Sequence, residues 1–427
     1  MDRNAAAGRL ATEAEVEKLD DFGSAAWQGR LRHFLVLSSA GKPIYTRYGS
    51  ESQLSTLMSA VQAIVSSFGD MSDPVRSLNV GQQTIVFYTN GPLYLLAASD
   101  RGDPEELLRN ELQLLHSQIV SILTRAQLTR IFEQRSSFDL RQLLGGTEGI
   151  LDQLVDRLDV DFGFALGSLD TLWMRYQLRE RIGKTVLARR PRELLYAMVV
   201  SDMKLVTLVR PRKHSLHPAD LHVLFNMATC RVFASGEHWT PVCFPRFNDQ
   251  GFLHVYISYV TPRVALVLVS ADRDSFAALA QCRAHVCEDL AHDDMLQRLD
   301  DAAAQRALHP RELGMRGVLQ LYYRDKVLVQ HFGTRFADSV ADEQQRRIVN
   351  AYKRLRLHMA SGQKPLRIVY CRRSFETVLA WQSSAFELYA AIAPEISVKN
   401  MIRLVNAVLE WIKKEEDHLF VVNAPSY

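Results

Sequence analysis

The chain has 427 residues, 47% hydrophobic and 23% charged, which is the balance of a folded protein with enough apolar surface for more than one core. Its net charge is only +3, which excludes a global electrostatic attraction to nucleic acid. The N-terminal residues lack the apolar segment of a signal peptide, and no uncharged apolar stretch of roughly 18 residues predicts a spanning helix.

The first predicted domain begins with a β-hairpin. The segment HFLVLSSAGKPIYTRYG, from residue 33, consists of an apolar strand, a polar turn with Gly and Pro, and an aromatic-rich strand. An amphipathic helix follows, because apolar residues recur every three or four positions from Leu54 to Phe68, and Ser50 is its predicted N-cap. The elements predicted next are strands over 75–80, 84–88 and 93–98 and helices over 105–124 and 127–133.

The same order of elements returns twice. The second copy has a strand pair over 194–210, a helix from His217, a three-strand meander and a closing helix. The third has a hairpin from residue 318, a helix over 342–359, three strands and a helix over 397–414. Because such sheets need helices on their faces, we predict an α/β (α+β) fold of three αβα sandwich domains with antiparallel-rich, five-stranded sheets.

The domain boundaries follow from this repeat. We predict a flexible tail over residues 1–30 and domains over 31–150, 151–310 and 311–427, the second with leading helices. Two segments are predicted as linkers: 135–150, which contains paired glycines, and 291–316, which is rich in Asp and Ala and is expected to be partly mobile.

No motif indicates catalysis by side chains or a bound cofactor. Gly183, Lys184 and Thr185 look like the end of a phosphate-binding loop, but Leu178 stands where that loop needs a glycine. The glycines of 145–149 lack dinucleotide-binding spacing and favour a turn or hinge. No G-x-S-x-G nucleophile motif is present in the sequence. We therefore predict no cofactor.

Cysteine and histidine spacing does not indicate a metal site. Cys282 and Cys287 have no second pair at zinc-site spacing, which favours buried structural thiols. His214, His217 and His222 surround a helix start, where capping and packing explain them. The five cysteines are scattered and odd in number, which fits reduced thiols in the cytosol.

Two runs of basic residues are the most informative charge features. Residues 175–192 contain seven Lys or Arg and one acid, and residues 346–373 contain nine Lys or Arg and no acid. Such a run is either an ordinary solvated face or a surface for anionic membranes. Nucleic acid is not predicted, because no aromatic stacking pattern accompanies the charge. The candidate lipid-binding residues are Arg181, Lys184, Arg189, Arg190, Arg346, Arg347, Lys353 and Arg354.

Several long blocks resemble the monensin-sensitivity (Mon) family of endosome and vacuole fusion proteins. They are FLVLSSAGKPIYTRYGSE at 34–51, FDLRQLLGGTEG at 138–149, LHPADLHVLFN at 216–226, WTPVCFPRFNDQGFLHVYISY at 239–259, and FELYAAIAP and WIKKEEDHLF near the end. The resemblance covers residues 31–427 in order. It departs in the N-terminal extension, which is often long in the family and is short here.

The resemblance implies three longin domains and a role as the Mon subunit of a guanine-nucleotide exchange factor. The expected partners are a Ccz-type longin subunit in an obligate heterodimer, a Rab-seven-type GTPase, and an anionic or phosphoinositide membrane surface. A third regulatory subunit is left open. The expected location is cytoplasmic and peripheral on late-endosomal and vacuolar or lysosomal membranes, and the expected role is endosome maturation and fusion.

Family members pair through the first longin domain, so the resemblance makes that domain the candidate partner and GTPase surface. Its candidate residues are Gly41, Lys42, Arg47, Tyr48, Glu51, Gln53 and Thr56. Longin domains also occur in vesicle-coat and tethering subunits. The alternative function is therefore a scaffold of such a complex that has no exchange activity.

Overall fold

The computed structural model describes residues 24–49, 54–70, 75–305, 307–361 and 366–427. These residues form three antiparallel-rich sheets with helices packed against them, which confirms the predicted fold class. They divide into two compact units. The first contains residues up to His116 together with Gln127–Val155, and the second contains Ser117–Ala126 together with Asp156–Tyr427.

The first sheet has the strand order β2-β1-β5-β4-β3, and all its pairs are antiparallel. Its elements and the following helices are α1 (Ala25–Gln28), β1 (Arg32–Ser38), β2 (Pro43–Thr46), α2 (Ser55–Asp70), β3 (Ser77–Val80), β4 (Gln83–Asn90), β5 (Leu93–Ser99), α3 (Glu105–Ile122), α4 (Arg125–Gln134), α5 (Arg141–Leu144) and α6 (Glu148–Val160). The predicted linker over 135–150 thus contains a short helix. The predicted N-cap Ser50 and most of the predicted tail lie outside the described residues.

The apolar stripe of α2 explains how the first domain is held together. The buried residues on this face of the sheet and helix are Leu35, Leu37, Leu54, Met58, Val61, Val65, Phe87, Leu96 and Ala98. Every residue of β1 is buried, because β1 lies between two strands and its faces are covered. Tyr45 of β2 donates from its hydroxyl to Asp152 of α6 at 2.8 Å, which attaches the hairpin to that helix.

The second sheet has the order β8-β7-β11-β10-β9. The elements from the end of the first domain onward are α7 (Gly163–Leu166), β6 (Leu169–Asp170), α8 (Tyr176–Ala188), β7 (Leu194–Ser201), β8 (Lys204–Val209), α9 (Pro218–Ala228), β9 (Glu237–Phe244), β10 (Asn248–Thr261), β11 (Val264–Ser270), α10 (Phe276–Ala291) and α11 (Met295–Ala304). His217 caps α9 by accepting from the Ala219 backbone N–H at 3.1 Å, as its position predicts.

The prediction of a mobile linker over 291–316 is wrong for its first half. α11 lies there, and its Met295, Leu299 and Ala302 are buried in the core of the second sheet. These positions follow i, i+4, i+7 spacing and form one helical stripe. The Asp and Ala residues between them made the composition of this segment look like that of a linker, although the apolar residues have helical spacing.

The third sheet has six strands in the order β14-β15-β16-β12-β13-β6, where five were predicted. Its elements are β12 (Val318–Asp325), β13 (Gln330–Gly333), α12 (Asp342–Ala360), β14 (Ile368–Arg372), β15 (Thr377–Gln382), β16 (Phe386–Ile392), α13 (Val398–Lys414) and α14 (Glu416–Leu419). The two helical layers cover opposite faces, since α13 packs into one core cluster and α12 into another. The sixth strand, β6, comes from the segment before the second sheet.

The segment around β6 hydrogen-bonds to both the second and the third sheet. Leu169 donates its backbone N–H to Val329 at 3.0 Å, beside the parallel pairing of β6 with β13. Thr171 forms a parallel bridge to Leu205 of β8, and its hydroxyl donates to the Leu419 carbonyl at 2.6 Å. Within the second unit, the two sheets therefore share one backbone segment.

The last residues of the chain return to the second sheet. Arg210 donates its backbone N–H to Pro425 at 3.2 Å, and Arg212 donates to Tyr427 at 3.0 Å. The Tyr427 hydroxyl donates to the Leu194 carbonyl at 2.7 Å. This C-terminal segment, residues 420–427, fastens the end of the third domain to β7 and β8.

Candidate partner and membrane surfaces

The turn of the β1–β2 hairpin is fixed against α2. Gly41 has a φ of +75°, and a Cβ there would overlap Oε1 of Gln62, so the position favours glycine for both backbone and space. Gln62 donates from Nε2 to the Ser39 carbonyl at 3.0 Å. Lys42 follows, with an exposed side chain and its backbone N–H bonded to Ser38 Oγ at 3.1 Å. The turn therefore presents a defined backbone shape and one lysine.

Arg47 and Tyr48 follow β2 and differ in exposure. Arg47 is buried, and its Cζ lies 4.6 Å from the centroid of the Tyr48 ring. Arg30 lies over the same ring at 4.6 Å, so two guanidinium groups stack on a half-buried tyrosine. The prediction of Arg47 as a surface contact residue is wrong for this conformation, because its side chain is used inside the domain.

The remaining residues of this candidate surface are only partly described. Thr56 is exposed in the first turn of α2. Glu51 and Gln53 lie outside the described residues. The structure thus places Lys42 and Thr56 on the surface of the first domain, and Gly41 and Tyr48 are half-buried beside them.

The first basic run meets an acid within the run, and an acid and an aromatic ring that are distant in sequence. Lys184 pairs with Glu180 at 2.9 Å within α8, and Arg189 makes two hydrogen bonds to the Asp289 carboxylate, at 2.6 and 2.8 Å. The guanidinium of Arg190 lies 3.6 Å from the centroid of the Tyr427 ring. Two of the four candidate lipid-binding residues in this run, Lys184 and Arg189, are therefore paired with carboxylates; Arg181 is exposed on the same helix.

The second basic run divides into exposed and buried residues. Arg346, Arg347 and Arg354 are exposed on α12. Lys353 is buried, and its Nζ donates to the Leu158 carbonyl at 2.7 Å. The prediction of Lys353 as a lipid-binding residue is wrong, because its amino group points into the protein. A pattern of apolar neighbours at 348, 349 and 352 could have indicated this.

A buried carboxylate that the linear reading missed also reduces the charge of this run. Arg356 lies 3.3 Å from Glu387 of β16, and Arg324 of β12 lies 2.8 Å from the same carboxylate. Burial alone would raise the pKa of Glu387, but the charges of Arg356 and Arg324 outweigh it, and the pKa is lowered. No signal in the run itself could reveal this partner.

The described part of the chain contains no group of three or more His, Cys, Asp or Glu side chains that could hold a metal ion. His222, one of the histidines near α9, contacts the Ser168 carbonyl at 2.9 Å. Burial raises the pKa of the Cys282 thiol to about 11, as expected for a structural thiol. Among the described helices, none is long and apolar enough to cross a bilayer.

The three sheets define a protein of three longin domains. Three family models match the chain: the first, second and third longin domains of FUZ, MON1 and HPS1 match residues 32–154, 192–288 and 317–416. Similarity to known proteins along almost the whole chain shows that, within this class, the chain belongs to the MON1/SAND family of vacuolar fusion proteins.

Three relatives carry that assignment. Protein SAND of Takifugu rubripes is 34% identical over 96% of this chain and 80% of its own length. The vacuolar fusion protein MON1 of Cryptococcus neoformans is 37% identical over 93% of this chain and 65% of its own length. The human vacuolar fusion protein MON1 homolog A is 34% identical over 99% of this chain and 66% of its own length. The chain thus spans about two thirds of the two MON1 proteins.

Proposed function

We propose that this chain works with a second, Ccz-type longin subunit as a guanine-nucleotide exchange factor for a Rab-seven-type GTPase. The observation that carries the proposal is family membership across almost the whole chain, including all three longin domains. The names of the relatives connect the family to vacuolar fusion. The proposed location is peripheral, on late-endosomal and vacuolar or lysosomal membranes.

The proposed mechanism requires no covalent chemistry from this chain. An exchange factor binds the nucleotide-poor GTPase more tightly than the nucleotide-bound form, which shifts the population toward release. Displacing the GTPase loop that holds magnesium and phosphates is the expected route. A rigid protein surface is sufficient for this task, and the turn at Gly41, anchored on Gln62, has that property.

The first domain supplies the proposed surface. Its exposed members are Lys42 and Thr56, with Gly41 and Tyr48 partly accessible. We propose a separate membrane contact through Arg346, Arg347 and Arg354 on α12, where each basic residue near an anionic surface contributes on the order of 1 kcal/mol.

Release of fluorescent GDP from the GTPase tests the exchange proposal. The chain alone should be nearly inactive, and the chain with its partner subunit should be active. The double substitution Lys42→Glu and Thr56→Arg should slow release about tenfold, since central interface residues contribute roughly 1–2 kcal/mol. Gln82→Ala, at an exposed turn of the same domain, is the matched control. Partner binding without any release would instead support the scaffold function.

A further inference from the structure

β14 is an edge strand of the third sheet. It pairs with β15 on one side, and no other described strand pairs with its opposite side. Four of its five residues are exposed, including Ile368 and Tyr370. An exposed strand edge offers unpaired N–H and C=O groups to a further strand.

The register shows which backbone groups face outward. Gln382 donates its N–H to the Arg367 carbonyl at 2.8 Å, and Arg373 donates its N–H to Glu376 at 2.9 Å. In an antiparallel pair, inward bonding alternates along the strand. Residues 367, 369, 371 and 373 therefore bond inward, and 368, 370 and 372 direct their N–H and C=O groups outward.

The other described sheet edges are protected in ways that β14 is not. Proline lies in two edge strands, Pro43 of β2 and Pro241 of β9, where it removes a donor. β3 has only four residues, and β6, at the far edge of the third sheet, has only two. Bridges from Thr171 and Ser426 occupy the edge at β8. β14 has no proline and is five residues long.

The side chains of β14 form two different faces. Val369 packs toward the core beneath α12, so Ile368 and Tyr370 lie on the opposite face. Ile368 is directly opposite Trp381 in the register, and Trp381 packs toward the core beneath α13. A strand added beside β14 would therefore meet apolar side chains on the α13 face.

The surroundings of this edge are cationic. Arg367, Arg372 and Arg373 are exposed in or beside the strand, and Arg347 of α12 lies 5.7 Å from the ring of the exposed Phe375. Glu376 is the nearest acid after the strand; it is buried, and its carboxylate lies 3.8 Å from Arg373, whose charge it partly offsets. Like charges disfavour pairing with a second copy of this chain, and an acidic partner is favoured.

We propose that β14 binds an extended segment of a partner protein by β-strand addition, and that this segment alternates apolar and acidic residues. The apolar residues lie beside Ile368 and Tyr370, and the acidic residues lie on the face of Arg367 and Arg373. Backbone bonds supply affinity and the alternating side chains supply specificity. The site is separate from the first-domain surface and uses backbone groups that a lipid contact does not need.

The probe for this site is a fluorescein-labelled heptapeptide, Glu-Val-Glu-Val-Glu-Val-Glu, titrated into the full chain and followed by fluorescence anisotropy. A Lys-Val peptide of the same alternation is the charge control. Two further peptides carry N-methyl groups either on the Val amides or on the Glu amides. In an added strand, either the Val amides or the Glu amides bond to β14, and the other set faces away. Binding should therefore be lost with one methylated peptide and retained with the other.

Variants of the protein provide an independent measurement. Tyr370→Pro removes an outward N–H that the sheet does not use, and Tyr370→Thr retains it. Both variants lose the tyrosine ring beside the peptide, so they are compared with each other: loss of one backbone bond should make the proline variant bind the peptide about fivefold more weakly than the threonine variant. If the proline variant fails to fold, the methylated peptides still decide the outcome.

Four outcomes would overturn the proposal. They are equal binding by the two methylated peptides, equal binding by the Glu and Lys peptides, a dimer that Tyr370→Pro converts to a monomer in sedimentation, and an equal loss of peptide and phosphoinositide-vesicle binding in that variant. The last two would assign the edge to a second copy of the chain or to a membrane.

Discussion

The charge of a residue does not reveal whether its side chain reaches solvent, and two candidate residues illustrate this. Arg47 and Lys353 were predicted as surface contacts, and both are buried. Lys42 and Arg354, chosen on the same grounds, are exposed. The sequence could identify the basic segments, but only the packing decides which of their charges meet solvent.

Lys353 should therefore affect stability and not lipid binding. Lys353→Ala removes the donor to the Leu158 carbonyl and should lower the free energy of unfolding by about 1–3 kcal/mol. Arg354→Ala, at the exposed neighbouring position, should leave it within about 0.5 kcal/mol. Urea unfolding followed by circular dichroism measures both. Equal stabilities would argue against the buried position of the amino group.

His222 should make the second unit sensitive to acid. Burial lowers the pKa of His222 from 6.5 to about 4, and the ring donates to a carbonyl that can only accept. Between these pH values the unfolded chain binds more protons, so stability falls as pH falls. Protonation linked to His222 should lower the free energy of unfolding by about 2 kcal/mol between pH 7 and pH 5.

His222→Gln keeps a donor and removes the titration. The variant should lose about 2 kcal/mol less than the unaltered chain over the same pH interval. Paired urea titrations at pH 7 and pH 5 give the difference directly. If the variant and the unaltered chain lose the same free energy of unfolding between pH 7 and pH 5, this histidine is not held neutral in the fold.

At the scale of elements, periodicity was the reliable signal and composition was not. The helices predicted from His217 and over 397–414 begin at Pro218 and Val398, each directly after a residue that caps it, His217 and Ser397. α11 was missed because its Asp and Ala residues suggested a linker, although Met295 and Leu299 already followed helical spacing. A two-residue strand such as β6 has no periodicity that a sequence could display.

The buried stripe of α11 gives a direct test of that element. Leu299→Ala should lower the free energy of unfolding by about 2–5 kcal/mol, because it leaves a cavity in the core of the second sheet. Arg298→Ala, on the exposed side of the same helix, should have little effect. The midpoint of urea unfolding distinguishes them, and similar midpoints would restore the interpretation of this segment as a linker.

At the scale of the second unit, the contacts that join the domains are far apart in sequence. Thr171 bonds to Leu419, and Tyr427 bonds to Leu194. The repeated order of elements predicted the separate domains but could not predict which segment of one would pair with another. Long-range contacts of this kind depend on the shape of the folded domains.

The C-terminal segment should protect the backbone of the second domain. Tyr427→Ala removes a ring that stacks on Arg190 and a hydroxyl that bonds to Leu194, so residues 425–427 should detach more often. Hydrogen exchange at the Arg210 and Arg212 amides, which bond to this segment, should then accelerate. Tyr370→Ala is the control at an exposed tyrosine, and equal exchange in both variants would contradict the docking.

The residues that match the third longin model do not include every strand of the third sheet, because β6 lies outside them. A gene fragment encoding only residues 311–427 would carry the whole match to the third longin model, yet it would leave the outer edge of β13 bare. Bare edges recruit strands from other chains. Such a fragment should be prone to aggregate on expression, and a fragment that begins before Leu169 should not expose this edge.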